Sequence, residues 1–538
     1  MPYPLTLTTM LQRSRWLFPK KEIVSRDYSG IHRYSYGDFY ARTARLAHAL
    51  GKLGIRRGDR VGTFGWNTHR HLEAYFAVPC MGATVHTLNI RLFTDQLVYV
   101  VNHAEDRIIL VDEDLVPSLE AVAEKLPTVK AFVVMTDKAK IPATKLSPVY
   151  SYEELLAAES PEFDWPRDID ENAMAALCYT TATTGNPKGV PQTHRGVYLH
   201  AMAISAADTL AVSERDVIMP VVPMFHVTAW GIPFAATWMG AKQVFPGARP
   251  DPHALAELIQ SERVTKTAGV PTVWMGVLQL AEQGKCDLSH LKLVVCGGSA
   301  PPRAMIETFE KRHGIQFLHA YGMTETYPVV LTCRLKGALE ELPDDQRYAY
   351  KAKQGLLLPG LEMKVVGEGE KNVPWDNRTM GELRLRGPWI TEEYYREPER
   401  TKEMVRDGWL CTGDVVTVDE EGYVQIQDRT RDLIKSGGEW ISSIDLENTM
   451  MAHPAVAEAA VIAIPHEKWL ERPMACVVLK PDQKGKVSEK DLLDFLAARV
   501  AKWWLPDEVV FVDAIPKTSV GKFAKRELRE KFKEKRYR

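Results

Sequence analysis

A chain of 538 residues is longer than one hydrophobic core supports, which implies two or more domains. Its apolar and charged fractions, 45% and 26%, are those of ordinary globular proteins, and a net charge of −2 argues against a global field for nucleic acid or anionic membrane. Seven cysteines, odd in number and without a Cys-x-x-Cys pair, point away from a disulfide framework or zinc site and toward a reducing, cytoplasmic compartment. The opening MPYPLTLTTMLQRSRW has no continuous apolar core, so no signal peptide is expected. From there, short β-type runs alternate with helical patterns. Residues 60–66 (RVGTFGW) read as a strand and 69–81 as a helix. A strand follows at 84–88, a helix at 94–103, and further apolar runs at 108–111 and 131–135.

The same texture returns at 217–222, 267–270, 291–296 and 316–319, each a strand candidate with Gly or Pro near its end. Such alternation predicts an α/β fold with a largely parallel sheet, whose loops collect at the carboxyl ends of strands. The most membrane-like stretch, 217–241, is interrupted by Pro220, Pro223, His226 and Pro233; a buried core segment or pocket wall is expected, with no integral membrane span. At 428–433 the charged hexapeptide DRTRDL has neither helical nor strand period. Beyond it lies a small α+β pattern. Strands are expected at 459–464, 475–479 and 509–512. Ser488-x-x-Asp491 forms a helix N-cap signature before Leu492, Phe495, Leu496 and Val500 on one face. The predicted organisation is a large N-terminal domain of layered sheets and helices (1–427), a linker (428–433) and a small mobile α+β domain (434–538). The basic C-terminus from Lys522 is interrupted by Glu527, Glu530 and Glu534, and reads as a solvated helix. The final Arg-Tyr-Arg is not a peroxisomal or ER-retention address.

Chemistry concentrates in 179–189, YTTATTGNPKG. Backbone N–H groups, threonine hydroxyls and the Lys188 ammonium fall within one turn, which suits a polyphosphate. It is not a Walker loop, because Gly189 rather than Ser or Thr follows Lys188. Alone, the stretch could equally be a surface loop of turn formers. Six further stretches follow in order: MFHVTAW (224–230), GGSAPP (297–302), HAYGMTET (319–326), GWLCTGD (408–414), DRTRDLIKSGGEW (428–440) and PKTSVGKFAKR (516–526).

Taken jointly these stretches resemble the signatures of the adenylate-forming superfamily: acyl-CoA synthetases, luciferases and peptide-synthetase adenylation domains. The resemblance implies an enzyme that condenses a carboxylic acid with ATP into an acyl-adenylate, releases pyrophosphate and transfers the acyl group to a thiol. ATP, Mg²⁺ and coenzyme A are the implied small-molecule partners, with no nucleic acid, and a homodimer is among the assemblies it allows. Thr180, Thr181, Thr183, Thr184, Gly185 and Lys188 would hold phosphates. Gly298, Ser299, Ala300, His319, Tyr321, Gly322 and Thr324 would surround the adenine end, with Tyr321 stacking on the ring. Glu325, with Thr180, would serve Mg²⁺, which prefers one or two carboxylates plus phosphate oxygens. Asp414 and Arg429 would take the ribose. Lys522 is the implied catalytic cation of adenylation, a role that preorganised charge suits.

His226 is placed beside the acyl carboxylate, and Trp230, with Gly298, at the wall or gate of the acyl pocket. On a helix His226 and Trp230, four apart, would share a face. Lys435, Gly437, Gly438, Glu439 and Trp440 would form a second face of the small domain, lining a channel for the pantetheine arm, and Arg431 the pivot between faces. The sequence departs from the family at Ala182, where glycine is usual. If that position has positive φ the methyl costs on the order of 1 kcal/mol, and slower adenylation than an Ala182→Gly form is expected. KSGGEWISS and MFHVTAW most resemble medium- and long-chain fatty acid–CoA ligases, with short methylthio-acid ligases (3-methylmercaptopropionate) as the alternative. Phe234 and Trp238 could shorten an acyl pocket or simply pack the core. Two further alternatives are an acyl-AMP ligase serving a carrier protein and a binding protein without catalysis. The first is disfavoured by the Gly437-Gly438 face, the second by Lys522, Glu325, Asp414 and Lys435.

Overall fold

The computed structural model describes residues 3–180, 186–437, 439–517 and 523–537. Thr181, Ala182, Thr183, Thr184, Gly185, Gly438 and Lys522 therefore lie outside the described residues. Contacts divide the chain into two compact units. The first comprises 1–180, 186–362 and 385–410, and the second 181–185, 363–384 and 411–538.

The first unit holds two large sheets. In the seven-stranded sheet Val149–Ser151, Ala131–Val134, Asp106–Val111, Arg60–Phe64, Thr84–Thr87 and Met174–Tyr179 run in parallel, and Gly189–Thr193 closes the edge antiparallel to Met174–Tyr179. In the nine-stranded sheet Gln316–Gly322, Leu293–Cys296, Lys266–Gly269, Val217–Pro220, Lys242–Phe245 and Glu22–Asp27 are parallel neighbours in that order, with antiparallel strands at both margins. The α/β alternation read from the sequence is thus present. Helix His69–Cys80 is buried along its whole length, as a segment between two sheets must be, which explains its weak amphipathic pattern. Phe234 is fully buried and stacks on Tyr75 with ring centroids 5.4 Å apart, and Trp238 packs on Tyr198 at 4.4 Å. Both serve the core of this unit.

In the second unit, Val456–His466 and Leu470–Leu479 form a long antiparallel hairpin, joined by Ile434–Ser436, Glu439–Ile441 and Glu508–Phe511. The signature at Ser488 is a complete capping box: Ser488 accepts from the Asp491 N–H while Asp491 accepts from the Ser488 N–H. Leu492 and Leu496 are buried behind it, but the helix stops at Ala497, short of Val500. The hexapeptide at 428–433 is less irregular than its composition suggests, since Asp428 and Arg429 end strand Val424–Arg429. All seven cysteines are free thiols, six of them buried. No helix among the described residues is long and apolar enough to cross a membrane.

Candidate active site

Strands Met174–Tyr179 and Gly189–Thr193 pair antiparallel with Tyr179 opposite Gly189. Thr180 donates its N–H to the Lys188 carbonyl at 2.9 Å, and its hydroxyl accepts from the Lys188 N–H at 3.3 Å. The entry side is pinned by Tyr179, whose hydroxyl meets His103 Nδ1 at 2.7 Å. Burial lowers the His103 pKa and raises that of Tyr179, so a neutral imidazole accepting from a phenol fits both shifts. Arg400 bonds the Asn186 carbonyl on the exit side.

Glu325 sits in a single 3₁₀ turn, Thr324–Thr326, between antiparallel strands Gln316–Gly322 and Val329–Thr332. The entry to that turn is tight. A Cβ on Gly322 would lie 1.6 Å from the Pro328 carbonyl oxygen, so only glycine fits there. Thr324 and Glu325 are buried. Glu325 Oε1 accepts from the Tyr394 hydroxyl at 2.6 Å, while Oε2 receives no hydrogen bond from the described residues. The Tyr394 ring in turn lies under Lys188, whose Nζ is 4.5 Å from the ring centroid. Lys188 and Glu325, 137 positions apart in sequence, thus meet on one tyrosine, the lysine over its face and the glutamate at its hydroxyl. Nothing in the sequence singled out Tyr394. It belongs to none of the signature stretches, and its role depends wholly on tertiary contact.

His319, on the same strand as Tyr321 and Gly322, is buried, and burial pulls its pKa down to about 4, so it is neutral at pH 7. Tyr321 is half-buried opposite Leu331. Gly298, Ser299 and Ala300 are exposed on the turn after strand Leu293–Cys296, Gly298 with φ of 82°.

His226 and Trp230 do not share a helix face. Val227, Thr228, Ala229 and Trp230 follow one another with φ between 37° and 57°, a left-handed turn of four non-glycine residues closed by Gly231 at 71°. Each such residue costs roughly 1–2 kcal/mol. Contacts offset it. Thr228 donates to Gln192 Oε1 and lies 3.0 Å from Cys178 Sγ, and Trp230 is buried. The far edge of Trp230 would lie 2.9 Å from a Cβ at Gly297, so Gly297 gives the indole its room.

In the second unit, Asp414 and Arg429 are cross-strand partners, Arg429 Nε reaching the buried Asp414 Oδ1 at 2.7 Å. Thr412 holds the turn between them, its hydroxyl donating to the Leu383 carbonyl and accepting from the Asp414 N–H. Arg431 is exposed and lies 3.9 Å from Asp432, and burial of its surroundings lowers its pKa. Lys435 pairs with Trp440 across a tight hairpin and projects an exposed side chain. Gly437, at φ 61°, donates its N–H to the Trp469 carbonyl, and a Cβ there would lie 2.8 Å from the Trp469 ring. Beside it opens a cavity of about 480 Å³ lined by Ser436, Gly437, Trp469, Arg472, Trp503 and Asp507. The sequence reading missed this cavity. No sequence signal marked it, since Trp469, Arg472 and Trp503 come together only in the fold. Across residues 518–522, Lys517 pairs with Phe523 and the Ala524 N–H bonds the Pro516 carbonyl, and Lys525 then begins helix Lys525–Lys531.

Two large sheets of α/β type, a strand pair tied through Thr180 and Lys188, and a buried glutamate in a 3₁₀ turn are what the first unit brings together. The profile of the AMP-binding enzyme family matches residues 12–395, and that of the AMP-binding enzyme C-terminal domain matches 445–522. The chain belongs to the AMP-binding enzyme family. It is 49% identical over 535 residues to a long-chain-fatty-acid–CoA ligase of Thermus thermophilus, covering 99% of this chain and 96% of the relative. It is 42% identical over 537 residues to a 3-methylmercaptopropionyl-CoA ligase of Ruegeria lacuscaerulensis, covering 99% and 98%. Among solved structures, ATP-bound MatB from Rhodopseudomonas palustris superposes with a TM-score of 0.81 at 26% identity, covering 98% and 99%.

Proposed function

We propose that this enzyme is an ATP-dependent carboxylic acid–CoA ligase acting on fatty acids. The observation that carries the reading is the convergence of Lys188 and Glu325 on Tyr394, which brings a cation and a carboxylate to one side chain next to the strand that starts at Gly189. A metal-bound triphosphate needs that pair. Glu325 fits Mg²⁺ in kind: it is a single carboxylate with one oxygen still open to a ligand among the described residues, and no cluster of three or more His, Cys, Asp or Glu side chains competes among them. Thr180 would add a hydroxyl, and the ion would neutralise phosphate charge when bound.

In the first half-reaction an oxygen of the acid attacks the α-phosphorus of ATP, and the bond to the β-phosphate breaks with release of pyrophosphate. Lys188 and the loop threonines hold the phosphates. Tyr321 and Gly298 to Ala300 receive the adenine, Asp414 and Arg429 the ribose. Lys522 stabilises the charge gathering between the two anions. His226 orients the carboxylate and Trp230 bounds the acyl chain. In the second half-reaction the thiol of coenzyme A attacks the acyl carbon, its proton passes to solvent and AMP departs. Lys435, Gly437, Gly438, Glu439 and Trp440 then line the thiol's route after the small domain has turned about 428–433, with Arg431 at the pivot. The 480 Å³ cavity beside Gly437 extends the same face, and its tryptophans and Arg472 suit the nucleotide end of coenzyme A.

The similarity to a long-chain-fatty-acid–CoA ligase supports a fatty acid as substrate. The similarity to a 3-methylmercaptopropionyl-CoA ligase favours a short methylthio acid as the second reading. The test is Lys522→Ala. Acid-dependent pyrophosphate exchange should be abolished, while thioester formation from supplied acyl-adenylate persists. Equal loss of both half-reactions would contradict the two-face account.

A further inference from the structure

Tyr394 touches both charged groups of the loop and turn, and it is held rigidly where it does so. Its N–H donates to Thr401 Oγ1 at 2.9 Å. On one side, the Thr391 N–H bonds the Glu325 carbonyl at 2.9 Å; on the other, the Tyr395 N–H bonds the Gly189 carbonyl at 2.8 Å. Segment 391–395 is therefore stitched to the glutamate turn and to the strand leaving the phosphate loop. The ring between those stitches is buried.

A tyrosine can attract opposite charges at its two ends. The π face draws a cation, and the hydroxyl donates a charge-assisted bond to a carboxylate. Here Lys188 takes the face and Glu325 the hydroxyl. An ammonium and a carboxylate paired with each other would each occupy what the other needs for a ligand. Held on the tyrosine instead, each is oriented yet keeps open valences. Glu325 retains Oε2, and Lys188 spends no N–H on its contact with the ring.

We propose that Tyr394 is a positioning residue for the nucleotide and its metal ion: its ring face seats Lys188, and its hydroxyl aims the Glu325 carboxylate. The assignment rests on the reading of Lys188 as phosphate ligand and Glu325 as metal ligand. Tyr394→Phe keeps the ring and removes only the hydroxyl, whereas Tyr394→Leu removes both.

Calorimetric titration of the full chain with ATP, once with Mg²⁺ and once with EDTA, separates the two functions without turnover. For Tyr394→Phe, the gain in ATP affinity conferred by Mg²⁺ should fall about tenfold, the size usual for losing a hydrogen bond to a metal ligand. Its affinity in EDTA should stay within about twofold of the parent, since the ring still serves Lys188. Tyr394→Leu should weaken binding in EDTA as well. A parental Mg²⁺ gain in Tyr394→Phe overturns the proposal, and that variant decides alone if Tyr394→Leu does not fold. Glu325→Gln locates the failure. If it loses the Mg²⁺ gain while Tyr394→Phe keeps it, the tyrosine assignment alone falls. If both keep it, the metal role of Glu325 falls too.

Discussion

Glycine is the residue on which the proposed coenzyme A face turns. Gly437 has φ of 61°, and a Cβ on it would lie 2.8 Å from the Trp469 ring. Alanine would bring a strain of about 1 kcal/mol and push the indole from the cavity wall. Gly437→Ala should therefore slow thioester formation from supplied acyl-adenylate about tenfold while adenylation stays within about twofold, as expected for a displaced positioning surface. Single-turnover assays of each half-reaction measure this, and equal slowing of both would contradict it. At this scale, much of the candidate site was legible. Lys188, Glu325, Asp414 and Gly437 stand in stretches that each read alone as turns or loops and point to a site only through their joint resemblance to the family. Tyr394, Trp469 and Arg472 were not legible, because their meaning lies in partners brought together only by folding: Glu325 is 69 positions from Tyr394, and Ser436 is 36 from Arg472.

Helix Ser443–Met451 and helix Lys525–Lys531 are joined by a buried charge cluster. Lys525 Nζ lies 2.7 Å from Glu447 Oε1 and 2.6 Å from Ser443 Oγ, and the Ser443 N–H donates to Asp428 at the end of its strand. The segment that follows Lys522 is thereby tied to the start of the linker. Burial pushes the Glu447 carboxyl up to about 7, outweighing the pull of Lys525, and Asp445 up to about 6. The unfolded chain releases the Glu447 proton near pH 4.5, so between there and pH 7 the folded protein holds a proton that the unfolded chain has lost. Local stability must then fall as pH rises through that window, by up to about 1.4 kcal/mol per pH unit, and level off above it. Hydrogen exchange at Val461, whose N–H donates to Glu447 Oε1, reads this directly. Protection should decline from pH 5 to 7 in the parent and lose most of that slope in Glu447→Gln; the same slope in both would contradict the assignment. Strands and capped helices were legible from alternation and from signatures such as Ser488. The left-handed turn at Val227–Trp230 was not, because VTAW carries no backbone signal before Gly231 and its conformation is imposed by Gln192, Cys178 and Gly297 from elsewhere.

For the molecule as a whole, the alternating pattern made the parallel sheets legible, and the shift in texture after 433 announced a second small sheet. The strand order was not readable, since parallel neighbours such as Thr84–Thr87 and Met174–Tyr179 are joined by long connections with no local register signal. The proposed function is two successive steps on one acid. The most direct measurement is AMP release by the full chain with ATP, Mg²⁺ and coenzyme A across carboxylic acids from C2 to C18, with aryl acids and 3-methylmercaptopropionate included. The account predicts acid-dependent AMP release matched mole for mole by acyl-CoA, and highest with fatty acids. Turnover confined to 3-methylmercaptopropionate would overturn the substrate assignment, and no AMP release with any acid would contradict the ligase itself.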